Sequence, residues 1–84
     1  MNNTELVLSI YTRAECHLCE EMLESLNSWQ SRFDFKVKIV DIDQDPSLTD
    51  RFAACIPVLA MGDIEICQYY PDENALSIFF KNLE

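Results

Sequence analysis

Apolar residues recur with two different periods along this chain, and each change of period marks a predicted element. A short apolar run over residues 6–11 predicts a buried first strand. From residue 16 or 17 to about residue 31, apolar positions return every three or four residues, which predicts an amphipathic helix. The apolar stripe of this helix consists of Cys19, Met22, Leu23, Leu26 and Trp29 and continues to Phe33.

The middle of the chain changes to the two-residue period of a strand. Over residues 35–42, lysines alternate with apolar residues, which predicts an edge strand whose charges oppose aggregation. Asp45 and Pro46 then supply a cap and a first-turn proline. This segment therefore predicts a strand followed by a short second helix.

The last third of the chain predicts a hairpin and a closing helix. Apolar runs over residues 56–61 and 64–68 flank Gly62 and Asp63, which predicts two strands joined by a two-residue turn with glycine first. Asp72 is the predicted cap of a helix whose apolar stripe consists of Ala75, Leu76, Phe79, Phe80 and Leu83. The predicted order is β-α-β-α-β-β-α, with the first two strands parallel and the last two antiparallel.

Length and composition indicate one globular domain spanning residues 1–84. Eighty-four residues cannot bury two cores, and a hydrophobic content of 49% is too high for a disordered chain. The net charge of −9 argues against binding to nucleic acid or to an anionic membrane. No apolar run is long enough to span a bilayer, and residues 1–5 lack the features of a signal peptide. We therefore expect a cytoplasmic protein, and we expect a monomer.

Four cysteines supply the candidate chemistry, and two of them form a close pair. Cys16 and Cys19 are three positions apart at the start of the first helix, which places them one turn apart. The free N–H groups and the positive end of the helix dipole favour the thiolate of Cys16, with Cys19 within reach to form a disulfide. Because cytosolic cysteines stay reduced unless they turn over, this pair indicates thiol–disulfide redox chemistry rather than a structural crosslink.

A metal site is an alternative for these cysteines. Zinc sites normally show two close cysteine pairs, or a cysteine pair with a histidine pair at ligand spacing, and neither pattern occurs in the sequence. Zinc binding stays open only if Cys55 and Cys67, which stand alone, converge in space. We assign no metal ligands.

Three segments carry a resemblance to a known family: residues 11–19 (YTRAECHLC), 40–46 (VDIDQDP) and 56–58 (IPV). Together they resemble the thioredoxin fold in its minimal, glutaredoxin-sized form. More narrowly, they are similar to the bacterial glutaredoxin-like proteins with a Cys-x-Leu-Cys site. The resemblance covers nearly the whole chain and implies an α/β fold, with a four-stranded mixed sheet and helices on both faces.

The resemblance implies a mechanism and a set of site residues. Cys16 would attack a substrate disulfide as the nucleophile, and Cys19 would resolve the mixed disulfide. Pro57 would have a cis peptide bond and lie against the pair, leaving the backbone of Ile56 free to pair with an extended substrate. Arg13 stands where glutaredoxins often carry a lysine. It either promotes the Cys16 thiolate, contacts a carboxylate of glutathione, or has no role.

The residues between the two cysteines depart from the glutaredoxin pattern. Typical glutaredoxins have Pro-Tyr there, whereas this chain has His17 and Leu18. Either a protonated His17 stabilises the thiolate and makes the protein more oxidising than thioredoxin, with a potential above about −270 mV, or His17 only faces solvent at the start of the helix. The nearby carboxylates of Glu15, Glu20 and Glu21 oppose this effect.

A second departure concerns glutathione. Glutaredoxins bind it with a Gly-Gly-x-x-Asp segment after the fourth strand, but residues 67–74 of this chain contain no glycine. Asp72 could receive an amino group, although a role as helix cap explains it equally well. Tyr69 and Tyr70 either form part of a docking surface or pack at the edge. We expect protein disulfides rather than glutathione as substrates, no cofactor, and electrons exchanged with a thioredoxin or glutathione system.

Other interpretations stay open at this stage. Cys55, two residues before Pro57, is either a third thiol that traps or regulates the disulfide, or a small buried hydrophobic residue. The whole chain could instead be a non-catalytic thioredoxin-fold module that binds a partner through an acidic face. A third alternative is a metal or iron–sulfur binder that uses Cys16, in a dimer.

Overall fold

The computed structural model describes residues 6–83, so the segment searched for a signal peptide, residues 1–5, lies outside the described part. The elements are β1 (Val7–Thr12), α1 (His17–Gln30), β2 (Lys36–Asp41), α2 (Pro46–Phe52), β3 (Val58–Met61), β4 (Ile64–Gln68) and α3 (Glu73–Lys81). A 3₁₀ turn at Ile42–Gln44 separates β2 from α2. The predicted order β-α-β-α-β-β-α is confirmed.

The strands form one mixed sheet in the order β2-β1-β3-β4. β1 is parallel to β2 and antiparallel to β3, and β3 forms an antiparallel hairpin with β4. As a result, the carboxyl ends of β1, β2 and β4 and the amino end of β3 lie at one end of the sheet. We call this the disulfide end; it carries residues 13–21, 42–45, 53–57 and 69–73. The hairpin turn lies at the opposite end.

Two clusters of buried side chains occupy the two faces of the sheet, as predicted for helices on both sides. The larger cluster lies under α1 and α3 and consists of Leu8, Ile10, Met22, Leu26, Trp29, Phe35, Leu59, Cys67, Leu76 and Phe80. The smaller one, beneath α2, consists of Ile42, Phe52 and Val58. Alternate residues of β1 and β3 supply both clusters, because successive side chains of a strand point to opposite faces.

Stacked aromatic rings fix α3 against α1. The ring of Phe80 lies 5.1 Å from that of Trp29 and 4.6 Å from that of Phe33, measured between centroids. The predicted core positions of α1, Met22, Leu26 and Trp29, are all buried. The aromatic contacts near the carboxyl end of α3 thus fix the position of the whole helix, including its amino end at the disulfide end.

Several element boundaries differ from the sequence prediction: β1 spans Val7–Thr12 rather than residues 6–11, and β2 begins at Lys36 rather than at residue 35. β3 begins at Val58 rather than at Ile56, because Pro57 has no N–H to donate to the neighbouring strand. β2 ends at Asp41, whose carboxylate accepts the N–H of Asp43 and starts the 3₁₀ turn. Leu83 lies beyond α3 and is 47% exposed, so it is not part of the helix stripe.

The hairpin turn follows the prediction of a glycine at its first position. Gly62 has a φ of 60°, a left-handed value that is unfavourable for residues with a Cβ.

No helix among residues 6–83 combines the length and hydropathy needed to cross a bilayer.

Candidate active site

Cys16 and Cys19 form a disulfide at the junction of β1 and α1, with their Cα atoms 5.2 Å apart. Cys16 is the N-cap of α1 and has extended backbone angles, whereas Cys19 lies in the first turn of the helix. Cys19 is buried, with 4% of its surface exposed, and Cys16 is half-buried. The disulfide therefore presents Cys16 rather than Cys19 to a partner.

The sulfur of Cys16 takes the place of the oxygen that usually caps a helix. The backbone N–H of Cys19 donates to Cys16 Sγ at 3.1 Å. A free N–H at a helix start and the positive end of the helix dipole both stabilise negative charge. The arrangement favours a thiolate at Cys16 once the disulfide is reduced.

Two non-glycine residues with left-handed backbone flank the disulfide end. Among residues 6–83, Glu15 and Tyr69 have positive φ angles, of 58° and 73°. Glu15 ends the turn that leads from β1 to Cys16, and Tyr69 follows β4. Such conformations are sparse for residues with a Cβ, and they are found most often at functional sites and turns.

The two residues between the cysteines both face solvent. His17 is exposed, and Leu18 has 43% of its surface exposed. Leu18 thus places an apolar side chain beside the disulfide, where a docking partner could cover it.

Arg13 is held by a carboxylate of this chain. Its Nη2 and Nε atoms donate to Asp43 at 2.6 and 3.2 Å. The hydrogen-bonded guanidinium lowers the pKa of Asp43, and the carboxylate raises the pKa of Arg13. Of the alternatives set out for Arg13, those that need its charge free for Cys16 or for glutathione must compete with this ion pair.

The loop before β3 contains Pro57, and the Ile56–Pro57 peptide bond is cis, the isomer that the resemblance implies. Pro57 is buried, and Ile56 is half-buried. Tyr69 holds this loop from both sides: its N–H donates to the carbonyl of Pro57 at 2.9 Å, and its hydroxyl donates to the carbonyl of Ala54 at 2.6 Å. Ile56 is therefore enclosed between two fixed points.

The two free thiols lie in different surroundings. Cys55 is half-buried and packs against the cluster beneath α2, in the loop that Tyr69 holds. Cys67 is buried in the larger cluster, where burial raises the pKa of its thiol. Among residues 6–83, no group of three or more His, Cys, Asp or Glu side chains has an arrangement that could hold a metal ion.

Asp72 acts as the cap of α3. Its carboxylate accepts the backbone N–H groups of Asn74 and Ala75, both at 3.1 Å. This confirms the predicted cap, and both N–H groups donate to the same oxygen, Oδ1. Tyr69 and Tyr70, just before it, are 44% and 58% exposed.

Some residues of this region were not found from the sequence. These are Asp43, the partner of Arg13; Ala54, whose carbonyl accepts from Tyr69; and the left-handed backbone of Glu15. Asp43 had a usable signal, because Arg13 and Asp43 each follow one of two parallel strands in which Thr12 pairs with Asp41. The hydrogen bond between Tyr69 and Ala54 had no signal in the sequence, because it depends on the path of a loop.

Comparisons with known proteins identify the family of this chain and relatives that share its fold. A family model described as "Glutaredoxin-like domain (DUF836)" matches residues 7–81. The match spans all seven strands and helices of the fold. No functionally curated protein matches the sequence significantly.

Solved structures share the architecture. The solution structure of protein Ne2328 from Nitrosomonas europaea is 35% identical, covers 94% of this chain and 98% of its own, and gives a TM-score of 0.82. Protein XcR50 from X. campestris is 28% identical, covers 89% of this chain and 96% of its own, and gives 0.71. NrdH-redoxin from Escherichia coli, described as a glutaredoxin-like protein with a thioredoxin-like activity profile, is 22% identical over 81% of this chain and 90% of its own. Its TM-score of 0.60 shows a shared fold.

Proposed function

Because this chain belongs to the glutaredoxin-like domain family, we propose that it is a thiol–disulfide oxidoreductase acting on disulfides of other proteins. The family and the Cys16–Cys19 pair at disulfide distance support a thiol redox role. The observation that carries the proposal is the position of Cys16 as the cap of α1, where an N–H faces its sulfur.

The first step uses the reduced form of the pair. The Cys16 thiolate attacks one sulfur of a substrate disulfide, and the N–H of Cys19 stabilises the charge before the attack. A bond forms between Cys16 and the attacked sulfur, the substrate disulfide breaks, and the leaving thiolate takes a proton from water.

The second step uses Cys19. Its thiolate attacks Cys16 Sγ, forms the intramolecular disulfide seen in the structure, and releases the second substrate thiol. Two electrons have then passed from the protein to the substrate. A thioredoxin or glutathione system returns the pair to the dithiol in this proposal, and the reaction runs in reverse against a more reducing substrate.

Substrate docking in this proposal uses the loop before β3. The backbone of Ile56 lies beside the fixed carbonyl of Pro57 and pairs with an extended substrate segment, as an added strand would. Leu18 and Tyr69 supply exposed side chains at the same end of the sheet. Each of these residues is a proposed contact with substrate.

Two observations favour protein disulfides over glutathione. The segment after β4 contains no glycine, and Tyr69 carries a full side chain at a backbone conformation that glycine adopts most easily.

The test combines reduction of insulin disulfides with trapping. The wild-type protein should catalyse reduction by dithiothreitol, Cys16→Ser should abolish it, and Cys55→Ser should leave it within about a factor of three, because Cys55 lies outside the pair. Cys19→Ser should retain a substrate as a mixed disulfide with Cys16 in cell extract. If the wild type does not reduce insulin and Cys19→Ser traps no partner, the chain would instead be a binding module, and the proposal would be wrong.

The redox potential tests the part assigned to His17. We propose a potential above about −270 mV, more oxidising than thioredoxin, because the His17 imidazole stands directly beside Cys16 and stabilises its thiolate. Equilibration with glutathione redox buffers measures this value for the wild type and for His17→Pro. A wild-type potential at or below about −270 mV contradicts the assignment.

A further inference from the structure

Charged side chains are divided unevenly between the two ends of the sheet. Acidic residues at the disulfide end include Glu15, Glu20, Glu21, Asp43, Asp45, Asp72 and Glu73. Each of them follows β1, β2 or β4, or lies in the first five residues of α1 or α3. Half of the six Lys and Arg residues lie at the opposite end: Arg32 after α1, Lys36 at the start of β2 and Lys81 at the end of α3.

Of the six Lys and Arg residues, the one nearest to the redox pair in sequence does not offset this excess. The Arg13 guanidinium pairs with Asp43 through two hydrogen bonds, so each charge compensates the other. Glu15, Glu20 and Glu21 are exposed and lie within five positions of Cys16 or Cys19. The water around the disulfide is therefore subject to a net negative potential.

Apolar side chains accompany these carboxylates. Leu18, Tyr69 and Tyr70 are 43%, 44% and 58% exposed at the same end of the sheet. Tyrosine is favoured at protein interfaces because its ring buries apolar area while its hydroxyl stays hydrogen-bonded. Exposed apolar side chains and carboxylates at the same end of the sheet fit a partner that presents apolar and basic groups together.

We propose that the disulfide end selects protein substrates whose reactive cysteine is flanked by lysine or arginine in an exposed, extended segment. The inference rests on the proposed oxidoreductase function and names its substrate class. Glutathione carries two carboxylates and one ammonium group, so the same potential repels it. Electrostatic steering of this kind changes association rates by about 10 to 10³-fold at low ionic strength.

The experiment compares two synthetic disulfide peptides in single turnovers with the full-length reduced protein. The peptides have equal length and one internal disulfide, flanked by lysines in one and by glutamates in the other. Each rate is divided by the rate with dithiothreitol, which is uncharged, so that the intrinsic reactivity of the peptide cancels. At 20 mM salt we expect the basic peptide to react at least about tenfold faster. At 1 M NaCl, where the screening length is about 3 Å, we expect the ratio to approach one.

Two triple variants with equal net charge locate the effect. Glu15→Gln, Glu20→Gln and Glu21→Gln neutralise the disulfide end, and Asp34→Asn, Asp63→Asn and Glu65→Gln neutralise the same number of carboxylates near the other end. We expect the first variant to lose most of the preference and the second to keep it. Because both peptides meet the same Cys16 in each variant, a change in thiol reactivity cancels from the ratio.

The outcomes separate the two proposals. If the wild type reduces neither peptide, the proposed function itself fails. If it reduces both at equal normalised rates at 20 mM salt, the function stands and the substrate class is wrong. A preference that persists unchanged at 1 M NaCl, or one that both triple variants lose equally, also overturns the inference.

Discussion

Cys16 combines two tasks that proteins usually divide between residues. As the N-cap of α1, it accepts an N–H through its sulfur; as the first member of the pair, it is the proposed nucleophile. A thiolate accepts this hydrogen bond more strongly than a disulfide sulfur does, because it carries a full negative charge. The hydrogen bond from Cys19 N–H to Cys16 Sγ should therefore be stronger in the reduced protein, where the Cys16 thiolate is the attacking group.

Cys67 gives a prediction of pH dependence. Burial raises the pKa of its thiol above the value of about 9 that applies in the unfolded chain. The folded protein therefore keeps this proton to a higher pH than the unfolded chain does. The corresponding stability is complete below about pH 9 and is lost as the pH rises through the raised folded value. We expect Cys67→Ala to flatten the decline in the free energy of unfolding above about pH 9, measured by urea denaturation.

The control for this prediction is Ile78→Ala, which shortens an exposed aliphatic side chain. It removes no titratable group and should leave the slope of stability against pH unchanged, although either substitution can shift the stability at neutral pH. The test is therefore the slope of the free energy of unfolding against pH, not its value at neutral pH. Equal slopes for the wild type and Cys67→Ala above pH 9 would show that the buried thiol does not control this decline.

At the scale of elements, α3 depends on one aromatic residue. Phe80 is fully buried and stacks on Trp29 and Phe33, whereas Ile78 on the same helix is 56% exposed. We expect Phe80→Ala to lower the free energy of unfolding by about 3–5 kcal/mol, since it leaves a cavity among aromatic rings. Ile78→Ala should change it by no more than about 0.5 kcal/mol.

Urea denaturation of the two variants measures this difference. A domain of this size has a total stability of roughly 4–13 kcal/mol, so Phe80→Ala lies near the limit of folding. Phe80→Leu keeps most of the side-chain volume and provides a folded reference that should lose less. Similar losses for Phe80→Ala and Ile78→Ala would refute the central part assigned to the stack.

Strands and helices whose apolar residues recur with a clear period were predictable from the sequence. The boundaries that were predicted wrongly have physical causes. The stripe of α1 identified Met22, Leu26 and Trp29 as buried, because a helix with one apolar face has one way to cover it. The start of β3 was misplaced by two residues, since hydropathy does not register the missing N–H of Pro57. Leu83 fits the helical period, but α3 ends at Lys81 before reaching it.

The candidate site was predictable where its residues are close in sequence. The spacing of Cys16 and Cys19 and their place before a helix were sufficient to identify the pair. The contacts between Arg13 and Asp43, and between Tyr69 and Ala54, join residues 30 and 15 positions apart. The first contact follows only once β1 and β2 are paired, and the second depends on the path of a loop, which local patterns do not specify.

At the scale of the whole molecule, the net charge of −9 was visible in the sequence, but its distribution was not. The separation of Arg32, Lys36 and Lys81 from the disulfide end follows from the directions of the strands and helices. Only the complete topology turns a list of charges into a molecule with one strongly acidic end.

This distribution predicts a response of stability to salt. Repulsion among the carboxylates at the disulfide end opposes folding, and added salt screens it. We expect the free energy of unfolding to rise between 20 and 200 mM NaCl. The rise should be smaller for the triple Gln variant of Glu15, Glu20 and Glu21 than for the triple variant of Asp34, Asp63 and Glu65. Thermal and urea denaturation at each salt concentration provide the measurement, and a fall in wild-type stability with salt would contradict it.

The two hydrogen bonds of Tyr69 have a consequence for the entropy of binding. They fix the backbone on both sides of Ile56 while the protein is still free, so folding itself has already ordered this loop. A flexible loop would lose that freedom each time a substrate docked, and the affinity would fall accordingly. In this chain, the conformational entropy lost on binding is therefore mainly that of the substrate segment. Differences in affinity between substrates should therefore follow how readily each of them becomes extended.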